Sequence, residues 1–222
     1  MSHDHEELGQ SEFFPHSEND PRQHLRRLPG LESRSPTEAS VPCKICGGPT
    51  IHFDRVDFNK YCSPENHYEF GFSGIIVDYV RCVDCGFLFT NFCDSWSADD
   101  SRDLIYNNDY IKVDHEYAET RPMRTAKVIA ERFRGAESAR ILDYGSGAGV
   151  FARCMRQAGY ETVQEYDPFS SPNRPHGRFD IITCFEVIEH TSDPRGTLAD
   201  LVSLLKPDGC ILLSQTLQPE PV

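Results

Sequence analysis

The sequence lacks the features of an exported or membrane-spanning protein. Its first residues have neither a basic start nor an apolar stretch, and none of its 222 residues belongs to an uninterrupted apolar segment of membrane-spanning length. Basic residues are also scarce, because 22 Lys and Arg stand against 35 Asp and Glu, for a net charge of −13. Broad nucleic-acid binding needs a basic face. We therefore expect a cytoplasmic protein with neither a membrane nor a nucleic acid as partner.

Apolar residues are few for a fully packed chain. The hydrophobic fraction is 38% and the mean hydropathy is −0.50, so part of the chain is expected to stay outside any core. Residues 1–40 mix charge, Pro and Ser without a sustained apolar period. They are predicted to be a disordered lead-in. The remaining length suits one medium-sized domain and a small accessory module.

Nine cysteines stand out in a chain with no sign of an oxidising compartment. Four of them form two C-x-x-C pairs, each followed by Gly: Cys43 with Cys46, and Cys82 with Cys85. Two residues between thiolates let one tight turn direct both sulfurs at a tetrahedral ion, and four sulfur ligands leave no open position. The pattern predicts a structural Zn²⁺ in a module covering residues 41–95.

Two other interpretations of these cysteines stay open: reduced, buried thiols without metal, and redox chemistry. Cys62 and His67 offer alternative ligands, but their spacing matches neither pair.

The second half of the chain predicts a β-α unit. A helical pattern over 116–134 is followed by an apolar strand that runs into a glycine-rich turn, D-Y-G-S-G-A-G at 143–149, and then a helix that ends at Gly159. In a doubly wound sheet such turns hold ligands at the carboxyl ends of the strands. The turn is not a dinucleotide fingerprint, because Val150 stands where the third Gly is needed, and no Lys-Ser/Thr pair makes it a phosphate loop.

Further elements follow in the same order. A strand over 162–166 ends near Asp167, and Glu165 is the alternative choice for the acidic residue at the end of this strand. A buried strand over 179–185 then runs into an acidic segment. A helix is predicted from 194 to 205, then a turn at 206–209 and a strand at 210–214.

The D-x-G-x-G-x-G turn, with F-D-I-I-T-C-F-E-V-I-E-H and L-L-K-P-D-G after it, resembles class I S-adenosylmethionine-dependent methyltransferases over residues 139–216. The resemblance implies an α/β, Rossmann-like doubly wound sheet and S-adenosylmethionine as cofactor. Asp167 would hold the ribose. The methionine part would meet the turn residues Asp143, Tyr144, Gly145, Ser146, Gly147 and Gly149. The two-pair cysteine module resembles the N-terminal part of sugar C-methyltransferases.

Two departures from that family are visible. Residues 168–178 are too few for the usual helix and third strand, so this αB–β3 unit is expected to be lost or shortened. The sequence also stops soon after the fifth motif strand, so the domain over 116–222 is expected to be incomplete at its C-terminus.

The resemblance implies methyl transfer to a small-molecule acceptor, with a nucleotide-linked sugar or glycan as the first choice. His190 would then act as general base beside Glu189, or hold the shape of the site. In a second hypothesis the chain is a metal-dependent O-methyltransferase in which Glu186, Glu189 and His190 bind Mg²⁺. In a third it is an inert, zinc-containing scaffold.

Tyr106 and Tyr110 lie in the predicted linker, residues 96–115. They are interpreted as packing residues, or as a cover for the cofactor that helps acid–base chemistry. The sequence predicts no oligomeric state.

Overall fold

The computed structural model describes residues 41–60, 70–171 and 173–215. The predicted lead-in and the alternative ligands Cys62 and His67 lie outside these residues. The strands are β1 (Thr50–Asp57), β2 (Ile76–Cys82), β3 (Leu88–Phe89), β4 (Arg140–Tyr144), β5 (Thr162–Tyr166), β6 (Phe179–Phe185) and β7 (Leu205–Ser214). The helices are α1 (Ala98–Leu104), α2 (Thr120–Arg132), α3 (Val150–Gln157) and α4 (Pro194–Leu204), with 3-10 turns at Tyr110–Lys112 and Ile188–His190.

A small antiparallel sheet holds the N-terminal region. Its order is β1-β2-β3. Thr50 at the start of β1 pairs with Cys82 at the end of β2, so the two C-x-x-C turns flank the same end of the sheet. The register of this hairpin therefore brings cysteines 36 or more positions apart in sequence into one place.

A parallel sheet of order β5-β4-β6-β7 forms the second half. Ile141 of β4 packs on one face with Phe151 and Met155 of α3, whereas its neighbour Leu142 packs on the other face with Leu201 of α4. Both faces of the central strands β4 and β6 are buried, as expected where helices cover both faces of a parallel sheet. This confirms the predicted α/β class with a doubly wound sheet.

The connection from β5 to β6 contains neither helix nor strand in its described residues. β6 lies directly against β4, and β5 is the last strand on that side of the described sheet. The loss or shortening of the αB–β3 unit, which the sequence predicted from the spacing, is therefore present in the fold. Arg174 holds this connection to α4, because its guanidinium donates to Asp200 at 2.7 Å and to Ser203 at 2.5 Å.

Element boundaries differ slightly from the prediction. α2 is shorter than 116–134, and Pro122 lies in its first turn, where a missing N–H costs no helical hydrogen bond. The predicted turn at 206–209 is not separate from the last strand: β7 begins at Leu205, directly after α4, and its pairing with β6 is interrupted between Phe179 and Ile181. The four residues are absorbed as an irregularity within the strand.

Within the described ranges, no helix is long and apolar enough to cross a membrane.

The irregularity in β7 depends on Gly209. A Cβ at this position would lie 2.9 Å from the carbonyl oxygen of Asp180 and 3.0 Å from that of Phe179, and backbone atoms cannot rotate away. Gly209→Ala should therefore lower the free energy of unfolding by about 1–3 kcal/mol. Urea denaturation measures the change, with the exposed neighbour Asp208→Ala as control, expected to stay within about 0.5 kcal/mol of wild type. Equal stability of the two variants would contradict the tight approach.

Candidate functional site

The glycine-rich turn lies at the carboxyl end of β4 and leads into α3. The amide groups of Gly145 and Ser146 donate to the carbonyl oxygen of Tyr166 at 2.7 and 3.2 Å, which fastens the turn to β5. Gly149 has φ +69° and is the N-cap of α3, a left-handed conformation that glycine adopts without strain. Apart from its chain neighbours, no heavy atom lies within 4 Å of where a Cβ of Gly147 would stand. The turn therefore offers open space at Gly147.

Asp143 is buried beneath this turn, with a relative exposure of 5%. Thr183 of β6, its register partner, donates from Oγ1 to Oδ1 at 3.1 Å. Oδ2 of Asp143 is buried and has no hydrogen-bond partner among the described residues. Burial raises the pKa of Asp143 to about 7, with Thr183 opposing the shift and the charges of Glu165 and Asp167 adding to it. Such an unmatched acceptor is costly, so it points to a ligand that supplies a donor.

The sequence reasoning did not single out Thr183, although a signal was present. It is a fully buried polar residue in the otherwise apolar middle of β6. A lone hydroxyl in such a strand needs a partner, and the partner is Asp143.

Asp167 and Glu165 occupy different positions. Oδ2 of Asp167 accepts from the amide of Gly147 at 3.1 Å, and Oδ1 accepts from the amide of Phe169 at 2.9 Å. Glu165 instead pairs with Arg156 of α3 at 2.7 Å. Asp167 therefore borders the turn at Gly147, whereas the Glu165 carboxylate lies at Gly149 and pairs with Arg156 of α3.

Tyr144 is the predicted cofactor residue whose side chain lies elsewhere. It is 4% exposed, and its ring packs among the residues between the sheet and α4, where its hydroxyl donates to Asp200 at 3.3 Å. Only the backbone of Tyr144 can border the turn. The side chain belongs to the core because β4 alternates its faces, and Tyr144 shares a face with Leu142.

A second polar segment follows β6 at the same edge. Glu186 has φ +53°, the one non-glycine residue with positive φ in the described part of the chain, and such strain is often found at functional sites. Its amide donates to the carbonyl oxygen of Ser214 at 3.0 Å, and the Ser214 hydroxyl donates to its carboxylate at 2.9 Å. The end of β7 therefore fixes this strained turn.

Glu189 and His190 lie just beyond, in the 3-10 turn, with part of each side chain exposed. Burial and the nearby Glu186 carboxylate raise the pKa of Glu189 to about 7, and Arg121 opposes this. Burial lowers the pKa of His190, and the charge of Glu186 works in the other direction. At neutral pH the segment thus offers an unprotonated imidazole beside a carboxyl group that can hold or release a proton.

The four cysteines lie together at the end of the small sheet. Their sulfurs are all within 4.8 Å of one another, with Cys43 3.6 Å from Cys85 and Cys46 3.5 Å from Cys82. Tetrahedral zinc thiolates would be about 3.8 Å apart, given Zn–S bonds of about 2.3 Å. The amides of Ile45 and Cys85 point at the sulfurs of Cys43 and Cys82, at 3.4 and 3.5 Å. The donor set fits Zn²⁺.

Elsewhere in residues 41–60, 70–171 and 173–215, no group of three or more possible ligands is as closely spaced. Glu186, Glu189 and His190 therefore do not form a comparable cluster. The described residues therefore give no support to the predicted Mg²⁺ site.

The edge of the sheet fits S-adenosylmethionine. The unpartnered acceptor of Asp143 suits an ammonium group, the space at Gly147 admits a ligand close to the backbone, and the Asp167 carboxylate suits a ribose hydroxyl pair.

Comparisons with known proteins agree with this geometry. Residues 116–221 match the family described as "Methyltransferase domain". The chain is 28% identical over 116 positions to ubiquinone biosynthesis O-methyltransferase of Actinobacillus pleuropneumoniae serotype 5b, covering 39% of this chain and 49% of that protein. It is 29% identical over 111 positions to the protein of the same name from Aromatoleum aromaticum, covering 38% and 47%.

The chain thus spans about half the length of these curated relatives. Among solved structures, it is similar to S-adenosylmethionine-bound CalS10, an amino pentose methyltransferase from Micromonospora echinaspora. The TM-score is 0.37, with 20% identity over 52% of this chain and 59% of that one.

The family match begins just before α2. It covers the glycine turn, Asp143, Asp167 and the parallel sheet. Residues 116–221 are therefore similar to a methyltransferase domain.

Proposed function

We propose that the chain is an S-adenosylmethionine-dependent methyltransferase that acts on a small-molecule acceptor. One observation carries the proposal: Asp143 is buried with an unpartnered oxygen beneath an open glycine turn, and Asp167 stands beside that turn at the end of the next strand. An inert scaffold with this fold would have no reason to keep such a costly unmatched acceptor.

The cofactor supplies a methyl group on a sulfonium sulfur, so the protein mainly positions reactants and removes a proton. Asp143 and the turn at Gly145 to Gly149 hold the amino-acid end, and Asp167 holds the ribose. His190 takes a proton from the acceptor, and Glu189 beside it stores or passes on that proton. The position of the two polar segments at the carboxyl edge of β4 and β6 supports this division of roles.

The acceptor is a small molecule. The resemblance of the cysteine module to that of sugar C-methyltransferases supports a nucleotide-linked sugar or glycan. The names of the curated relatives support a second candidate, O-methylation of a small hydroxylated molecule. An unprotonated His190 serves either reaction, because both an activated carbon and a hydroxyl must lose a proton.

The four cysteines bind one structural Zn²⁺ in this proposal. The small sheet includes a strand of only two residues, and three described residues in its cysteine-side cluster are buried: Cys43, Cys82 and Phe89. Such a module has too little core to fold on packing alone, and a metal supplies what is missing.

Cofactor binding should depend on the ionisation of Asp143. An ammonium group needs the charged carboxylate, and the pKa of Asp143 is raised to about 7. The affinity for S-adenosylhomocysteine should therefore rise roughly tenfold from pH 6.0 to pH 7.5, since a raised pKa leaves the group mostly protonated at the lower pH. Isothermal titration calorimetry measures this.

Asp143→Asn should bind more weakly and lose the pH dependence, whereas Asp208→Asn, an exposed control, should behave as wild type. A wild-type affinity that does not change with pH would place the ammonium group elsewhere. If neither the wild-type protein nor either variant binds S-adenosylhomocysteine, the proposed function is contradicted.

Zinc should be present at one ion per chain after purification without added metal. Cys82→Ser removes a buried ligand and should abolish stoichiometric zinc and lower the melting temperature, because the small sheet loses its cross-link. Elemental analysis and thermal denaturation report both effects. Cys154→Ser, a half-buried cysteine of α3 outside the cluster, should retain zinc. Metal-free wild-type protein with a cooperative unfolding transition would exclude the site.

His190 should determine turnover without determining cofactor affinity. His190→Gln should lower the rate roughly 10²–10⁴-fold on whichever acceptor a panel of nucleotide-linked sugars and catechols identifies. The wild-type rate should rise with pH through a pKa below 6.5, since burial lowers the pKa of His190 and the base acts unprotonated. Rate–pH profiles together with S-adenosylhomocysteine titrations test this. Wild-type turnover in His190→Gln would remove the residue from the chemistry.

A further inference from the structure

The end of α1 is fixed by the packing of the N-terminal region. Leu104 of α1 is buried against Ile75, which precedes β2. Trp96, just before the helix, packs its ring 6.0 Å from that of Phe58 and 5.7 Å from that of Phe92. α1 therefore shares a core with the hairpin of the cysteine module.

Tyr106 lies two residues after the end of α1 and contacts a residue of the second half of the chain, His190. Its amide donates to the carbonyl oxygen of Ser101 at 3.1 Å, which continues the helical turn. Its ring lies 5.8 Å from the imidazole of His190, at an interplanar angle of 85°. An edge-to-face arrangement at this distance is a favourable aromatic contact and covers one side of the imidazole.

Tyr106 also stands between the two polar segments of the site. Burial raises the pKa of its hydroxyl, and the charges of Tyr110, Glu189 and Asp167 add to the shift. The charges of both acids thus reach Tyr106, and its ring contact places it at the edge of the site beside His190.

The segment after Tyr106 is held at further points. The ring of Tyr110 lies 5.1 Å from that of Tyr106 and 4.8 Å from that of Tyr117. Asp114 accepts two hydrogen bonds from Arg121 in the first turn of α2, at 2.6 and 2.7 Å. Tyr106 is therefore tied to the N-terminal core on one side and to α2 on the other.

We propose that Tyr106 is a positioning residue for His190, and that the N-terminal region thereby completes the acceptor side of the cleft. The proposal rests on the proposed function. It adds a residue from outside the methyltransferase domain, because the family match begins at residue 116.

The physical effect is control of the hydration of the imidazole. The Tyr106 ring displaces water from one side of His190, and its edge-to-face contact restricts rotation of the imidazole. Glu186 is the charged group that acts on His190 in the described structure, and it favours protonation, whereas burial disfavours it. Removing the ring weakens the burial and leaves the effect of Glu186, so protonation becomes easier.

The test is an NMR titration of the protein labelled with ¹³C at histidine Cε1 and saturated with S-adenosylhomocysteine, with the His190 signal assigned by its loss in His190→Gln. Tyr106→Leu should raise the pKa of His190 by about 0.5 or more, toward the ordinary value near 6.5. Tyr106→Phe keeps the ring and should keep the wild-type titration. Tyr117→Leu, at the far end of the aromatic series, is the control and should also titrate as wild type.

In addition, a nuclear Overhauser effect between the Tyr106 and His190 rings is expected in the wild-type protein, and this measurement needs no variant. Affinity for S-adenosylhomocysteine should change less than about threefold in the Tyr106 variants, because Asp143 and Asp167 are held by hydrogen bonds that do not involve Tyr106.

An unchanged His190 titration in folded Tyr106→Leu, or no contact between the two rings in the wild-type protein, overturns the proposal. Failure of the wild-type protein to bind S-adenosylhomocysteine would instead count against the proposed function, and the titrations without ligand would still test the role of Tyr106.

Discussion

The parallel pairing of β4 with β6 is the constraint on which the site depends. It places Thr183 opposite Asp143, so that the fold buries a carboxyl group with only one of its two oxygens bonded. The same pairing sets the glycine turn after β4 beside the strained turn at Glu186 after β6. Two loops from different parts of the sequence thus meet because the carboxyl ends of parallel strands share one edge.

The energetic cost at this edge is concentrated in a few groups. Asp143 has an unmatched acceptor, Glu186 has a left-handed backbone, and Glu189 has a raised pKa. The surrounding structure sustains them, because the cores on both faces of the sheet are closely packed around fully buried residues such as Ile141, Leu142 and Ile182. Strain and unsatisfied polarity of this kind are most often retained where a ligand relieves them.

The two halves of the chain have different sources of stability. The parallel sheet has a core on each face, whereas the small antiparallel sheet has little beyond its four clustered sulfurs and one aromatic group around Trp96. Leu104 packs in that group, so α1, which lies in the predicted linker over 96–115, is packed with the module. The boundary at residue 95 stays a prediction. The contact of Tyr106 with His190 shows how the two halves meet at the cleft.

Much of this protein was determined by local sequence. The glycine turn, the alternation of apolar residues in β4 and β6, and the two C-x-x-C-G turns each specify their own backbone within a few residues, so the α/β class and the closeness within each cysteine pair were predictable. The short stretch between β5 and β6 likewise predicted the missing strand unit, since a crossover needs a minimum length.

What the tertiary structure decided was long-range pairing. The register of β1 with β2 places the two cysteine pairs together. The register of β4 with β6 leaves one oxygen of Asp143 without a hydrogen bond among the described residues. The packing of α1 places Tyr106 in contact with His190. The tertiary structure also turned the side chain of Tyr144 into the core. These outcomes depend on contacts between residues far apart in sequence, and local preferences carry no information about which distant partner a side chain will meet.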